Sequence, residues 1–169
     1  NAKYCLVTSS GMSIAMLMMH VFPKDTPMLV GDDVYGGTYR LFKSIFDEYH
    51  NIKFIDTTDT KALEVMIREF KPKLLWLETP TNPLLKITDI KATTKLARKY
   101  KCLTLVDNTF MSPYFQRPLN LGADFVMHSM TKYINGHSDV VGGTILTNNK
   151  KYYEKLWYLQ NSIGPSQSP

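Results

Sequence analysis

Cysteine is scarce here: Cys5 and Cys102 are the only two among 169 residues. They form no CxxC pair and fit no metal-ligand spacing, which argues against a disulfide-stapled scaffold and against a zinc module. Each sits in or beside an apolar run, where a free thiol behaves as a small hydrophobe. A reducing, cytoplasmic setting is the expectation. Long hydrophobic runs are missing too. None approaches the ~18 residues of a membrane span, and no secretory leader is visible, so no membrane partner is expected. Blocks of one-signed charge are also absent. The net charge is +5 and the pI about 9.1, yet the basic residues are scattered in pairs such as Lys71 and Lys73, Lys99 and Lys101, and Lys150 and Lys151. Without a basic block or a recognition motif, they read as solvated faces, and nucleic acid is not expected as a partner. His20, His50 and His128 share no spacing that argues for a metal. No internal repeat or low-complexity tract is seen.

What the chain does contain is alternation. Short apolar runs occur at Cys5–Thr8, Met28–Val30, Phe54–Asp56, Leu74–Leu77, Leu103–Asp107, Phe125–His128 and Gly143–Leu146. Several are continuous rather than alternating in polarity, as in strands buried on both faces. Between them lie helical segments: Gly11–Phe22, Thr38–Tyr49, Thr60–Phe70, Thr88–Tyr100 and Lys151–Asn161. Prolines follow two of them, at Pro23 and Pro72, as helix stops. Strand and helix alternating this often predict an α/β fold, a mostly parallel sheet flanked by helices. Ligands bind outside the carboxyl ends of such strands, so the chemistry is sought just after each apolar run.

Five such ends carry suggestive residues. Ser9-Ser10-Gly11-Met12 opens a helix, where backbone N–H groups bind anions. Tyr35 lies on a loop before two glycines, as a ring that can stack on a flat ligand. Asn82 sits between Pro80 and Pro83 on a stiffened loop. Asp107 ends an apolar run and, if buried, needs a cation or hydrogen bonds. Ser129, Thr131 and Lys132 place two hydroxyls and an amine at one strand end, suited to phosphate and to a Schiff base. Singly, each has a plainer reading: a helix cap, a half-buried aromatic, a turn former, another cap, a solvated lysine. Together they supply an anion site, a ring clamp, a partner for a pyridinium and an amine, the set that pyridoxal 5'-phosphate (PLP) requires.

The stretches Ser10-Gly11-Met12, DDVYGGTYR (32–40), ETPTNP (78–83), VDNTFMSPYFQRPLNLG (106–122) and SMTKYINGHSDVV (129–141) resemble the Cys/Met-metabolism group of fold-type I PLP-dependent enzymes. The resemblance implies a PLP-dependent transferase-like large domain. It implies that Lys132 holds the cofactor and later moves protons, that Asp107 pairs with the ring nitrogen and that Tyr35 stacks on the ring. Gly11 and Met12 would bind phosphate through backbone N–H groups, with the Ser129 and Thr131 hydroxyls. Asn82 would sit near the phenolic oxygen, and Arg40 and Tyr35 would help bind substrate.

On the same resemblance, the substrate is an amino acid, cystathionine or a relative. Its cleavage by γ-elimination would give cysteine, 2-oxobutanoate and ammonia. Gly37 stands where methionine γ-lyases usually carry Cys, and MSPYFQRP (111–118) favours the cystathionine γ-lyase branch. Cystathionine γ-synthase and β-lyase remain alternatives, as does an inactive piece that only pairs with other subunits. A cofactor-free Schiff-base enzyme is a further rival. Residues 1–169 would be the PLP-binding catalytic domain, cut at both ends and without the C-terminal small domain, and the group's usual assembly is a homotetramer, a dimer of dimers. Met130 departs from the group, which commonly has Ala there.

Overall fold

A computed structural model describes residues 2–168. Among them, seven strands form one sheet in the order β1-β7-β6-β5-β4-β2-β3. The strands are β1 (Tyr4–Thr8), β2 (Pro27–Gly31), β3 (Asn51–Ile55), β4 (Leu74–Glu78), β5 (Leu103–Asp107), β6 (Phe125–Ser129) and β7 (Gly143–Thr147). The pairs β2–β3, β2–β4, β4–β5 and β5–β6 are parallel. β7 runs antiparallel to both β6 and β1, so Gly143 at its start lies beside the carboxyl ends of its neighbours. The expected mostly parallel α/β architecture is what the chain adopts.

Side chains alternate across the sheet, as the two-residue period of a strand demands. Leu74, Trp76, Leu105, Phe125, Met127 and Ile145 join one hydrophobic cluster. Leu75, Leu77, Val106 and Val126 join the other. The first cluster is covered by α1 (Gly11–Val21) and α6 (Lys150–Ile163), the second by α3 (Thr60–Phe70) and α4 (Ile90–Lys99). α1 is apolar nearly all round because sheet and α6 enclose it. α3 and α4 bury one stripe each. Asp59 and Asp89 cap α3 and α4 through their carboxylates, accepting from Lys61 and Ala62, and from Ala92.

Trp76 is fully buried and meets the ring of Phe42 edge-on at 5.1 Å. Replacing Trp76 by alanine is expected to cost about 3–5 kcal/mol, read as a lowered urea midpoint with an unchanged slope.

One expected helix differs. Residues 38–49 do not form a single α-helix. The α-helix α2 (Gly36–Arg40) passes into one π-helical turn, Leu41–Ile45, closed by Phe46 N–H donating to the Leu41 carbonyl at 3.1 Å. Of Leu41, Ile45 and Tyr49, Leu41 joins the core and Tyr49 packs against it, but Ile45 is 62% exposed while Phe42 and Phe46 are buried. The wider turn carries Phe46 into the same cluster as Phe42.

His128 points away from Met127, on the opposite face of the sheet, and is buried with Nδ1 unpartnered. Burial holds its pKa down at about 4, against 6.5 normally. The folded chain therefore refuses a proton that the unfolded chain accepts, and stability falls as pH drops from about 6.5 to about 4. The expected loss is roughly 3 kcal/mol, and it should vanish from the urea unfolding profile of His128→Gln.

Candidate active site

A cleft of about 300 Å³ opens at the carboxyl ends of β4, β5 and β6. Gly11, Met12, Tyr35, Asn82, Asp107, Ser129, Thr131 and Lys132 all line it. Its size is at the lower end of small-molecule sites. Arg40 is not among the lining residues; it ends α2 and is exposed. A cleft of similar volume beside Gln116, Arg117 and His128 collects none of the expected residues.

One wall is the start of α1. Ser10 caps it, accepting the Ser13 N–H at 3.0 Å, while Gly11 and Met12 sit in the first turn, where N–H groups have no intrahelical acceptor. Two glycines make this wall possible. A Cβ on Gly11 would lie 3.0 Å from Ser129 Cβ, and one on Gly143 would meet the Ser10 carbonyl and lie 2.7 Å from the Gly11 nitrogen. Helix start, β6 and β7 therefore touch backbone to backbone, and Ser129 stands beside the free N–H groups. The Thr131 hydroxyl is tied to Gly142, accepting its N–H at 3.1 Å. Lys132, in the turn after β6, is exposed at the mouth.

The opposite wall is acidic. Glu78 and Asp107 end β4 and β5, are paired in register, and are each 7% exposed. Asp107 Oδ1 accepts the Thr109 N–H at 3.0 Å and its hydroxyl at 2.6 Å. Burial raises the Asp107 carboxyl above its usual range, with the two Thr109 donors opposing. Glu78 Oε2 accepts the Tyr35 N–H at 2.9 Å. Burial first, then the Asp107 charge beside it, pushes Glu78 up to about 8. Neither carboxylate has an ion-pair partner among the described residues. The arrangement calls for a cation or an N–H group from a ligand.

Loops behind the cleft are pinned. Asp33 Oδ2 accepts the Thr81 hydroxyl and the Leu84 N–H, which fixes the loop carrying Asn82 against the loop carrying Tyr35. Gln116 donates to the Thr79 carbonyl at 3.1 Å and to Asn108 Oδ1 at 2.8 Å. Thr109 bridges Asp107 to β6, its hydroxyl accepting the Ser129 N–H at 2.8 Å. The sequence reading assigns no role to Glu78, Asp33, Thr109 or Gln116. Glu78 carried a signal, since it directly follows the apolar run Leu74–Leu77 at a strand end; the others depend on contacts across loops.

The chain matches known proteins along its whole length. The family described as Cys/Met metabolism PLP-dependent enzyme covers residues 1–169. A probable cystathionine gamma-synthase of Herpetosiphon aurantiacus is 51% identical over 99% of this chain and 53% of its own. A cystathionine gamma-lyase of Dictyostelium discoideum is 48% identical over 100% of this chain and 44% of its own. The crystal structure of cystathionine gamma-lyase from Lactobacillus plantarum complexed with L-serine superposes with a TM-score of 0.95 at 43% identity, over 99% of this chain and 44% of that one. The chain thus spans about half the length of the curated relatives it matches. Matched by that family's model over residues 1–169 and 51% identical to one curated relative, this chain belongs to the Cys/Met metabolism family of PLP-dependent enzymes.

Proposed function

We propose that this cleft holds PLP in a carbon–sulfur lyase that cleaves cystathionine with water to cysteine, 2-oxobutanoate and ammonia. The observation that supports this most is the buried pair Glu78 and Asp107, lacking any protein cation, facing the same cleft as Lys132 and the free N–H groups of Gly11 and Met12. The residues fit the cofactor: an anion cradle that a single Cβ would fill, a carboxylate for the ring nitrogen and an amine. PLP, when bound, supplies an electron sink that stabilises negative charge at the substrate Cα.

The protein residues then divide the work. Gly11 and Met12 N–H groups, with the Ser129 and Thr131 hydroxyls, hold the phosphate. Asp107 keeps the ring nitrogen protonated. Tyr35 covers the ring face, and Asn82 takes the phenolic oxygen. Lys132 anchors the cofactor, and its freed neutral amine moves the Cα proton and then a Cβ proton. Tyr35 also acts on the substrate, and Arg40, outside the lining, is left to meet it from the rim of the cleft. Residues 1–169 form the large catalytic domain of a cytoplasmic homotetramer. Tyr114 and Phe115, 79% and 74% exposed, are read as subunit contacts. No helix among the described residues is long and apolar enough to cross a membrane.

A γ-synthase is the second reading, favoured by the 51% identity to the Herpetosiphon protein. The test is the visible spectrum with PLP, borohydride reduction and peptide mapping. An adduct on Lys132 is expected; an adduct elsewhere, or none, overturns the assignment. Release of 2-oxobutanoate from cystathionine, against net synthesis of cystathionine from cysteine and an O-acylated homoserine with release of the acid, separates lyase from synthase.

A further inference from the structure

If the cleft holds PLP, as proposed above, Asp107 meets the ring nitrogen, and Glu78 beside it has a part of its own. Glu78 and Asp107 are the last residues of adjacent parallel strands and are paired in register. Neighbouring strands lie about 4.8 Å apart with paired side chains on the same face. Both carboxyls are nearly out of water. Two buried carboxylates this close do not both ionise without a cation. The charged groups around them are Asp33, after β2, which adds negative charge, and Lys132, after β6, which is exposed and forms no ion pair with either. Asp107 receives two hydrogen bonds from Thr109 and so ionises first. Glu78 takes backbone hydrogen bonds from Tyr35 and Asn82 but no side-chain hydroxyl, and it faces the charge of Asp33 as well as that of Asp107, so it is the one that keeps a proton.

We propose that Glu78 is a positioning residue that carries a proton before the cofactor arrives and surrenders it to solvent when the cationic ring nitrogen seats against Asp107. The Glu78 O–H bond breaks, the proton leaves through the open mouth, and no electrons change hands. Glu78 is already 7% exposed, so the ring removes little further water from it. The new positive charge, which cancels the repulsion from Asp107, is the larger change. As Glu78 gains charge, its bond from the Tyr35 N–H strengthens. The loop that carries the stacking ring is thereby held more firmly once the ring to be stacked is present. Capture of the cofactor becomes pH-dependent through Glu78.

Two measurements on this chain test the proposal. First, infrared difference spectra at pH 7 should show a protonated-carboxyl band that Glu78→Gln lacks; its absence from the unmutated chain overturns the proposal whether or not PLP binds. Second, calorimetry of PLP binding in buffers of different ionisation enthalpy counts protons. The unmutated chain should release about one more proton than Glu78→Gln, and its affinity relative to that variant should rise by up to about tenfold per pH unit below pH 8. A carbocyclic analogue with no ring nitrogen should erase the difference. Equal proton counts with PLP sink the idea. A carboxyl band without any PLP binding overturns the release step and the cofactor reading together, and leaves the shared proton standing. Glutamine keeps an oxygen for the Tyr35 N–H, and a matched unfolding midpoint confirms that the variant folds.

Discussion

Lys132→Ala is expected to bind no PLP covalently: no visible imine band, no borohydride-stable adduct, and turnover of cystathionine lowered by about a thousandfold or more. Lys132 is the one lysine among the described residues that lines the cleft. Lys86, from the loop that carries Asn82, is held 3.0 Å from both Asp32 and Asp56 and is not free to replace it. The side chain is exposed and carries no part of the core, so the variant should unfold at the same denaturant concentration as its parent. Persistence of the band in the variant would transfer the anchoring role to another amine. Loss of the band together with a large fall in stability would mean that Lys132 has a structural role the burial pattern does not show.

Gly143→Ala should do nearly as much harm from the other side of the cleft, without touching any chemical group. Its Cβ would run into the Ser10 carbonyl and the Gly11 nitrogen, all backbone, so no side chain can swing aside. Either the start of α1 is lifted off the sheet or β7 loses its pairing with β1. The expected result is at least a tenfold weaker hold on PLP or on inorganic phosphate, plus roughly 1–3 kcal/mol of lost stability from overpacking. Gly36→Ala is the control, because nothing lies within 4 Å of the added carbon there. Equal phosphate affinity in the Gly143 and Gly36 variants would show that the turn at Ser10 tolerates displacement.

Much of this was legible in the order of residue types. The apolar runs end at Thr8, Leu77, Asp107 and His128, within a residue of the strand ends at Thr8, Glu78, Asp107 and Ser129. The rule that ligands lie beyond those ends picks out the cleft residues. Gly11, Met12, Tyr35, Asn82, Asp107, Ser129, Thr131 and Lys132 meet there because strand ends on one side of a sheet have no choice but to be neighbours. Arg40 follows no strand end directly and falls outside the lining. The π-helical turn at Leu41–Ile45 escaped because a four-residue spacing fits two stripes, and only packing against Phe42 chooses between them. The contact between Gly143 and Ser10 escaped for another reason. It joins backbones far apart in the sequence, and no local pattern reports such a meeting.

That meeting also orders events in time. Within this stretch β1 is made before the other strands, yet among the described residues its neighbour in the sheet is β7, which begins at Gly143. The strands β2 to β6 can zip together as each leaves the ribosome, since every parallel partner lies within the stretch already made. β1 and the Ser10–Met12 turn behind it must wait, exposed, until Thr147 has emerged. A nascent chain released before that point would carry the residues of its phosphate cradle without the strand that seats them, and Val7 and Cys5 would remain an open sheet edge for chaperones to cover.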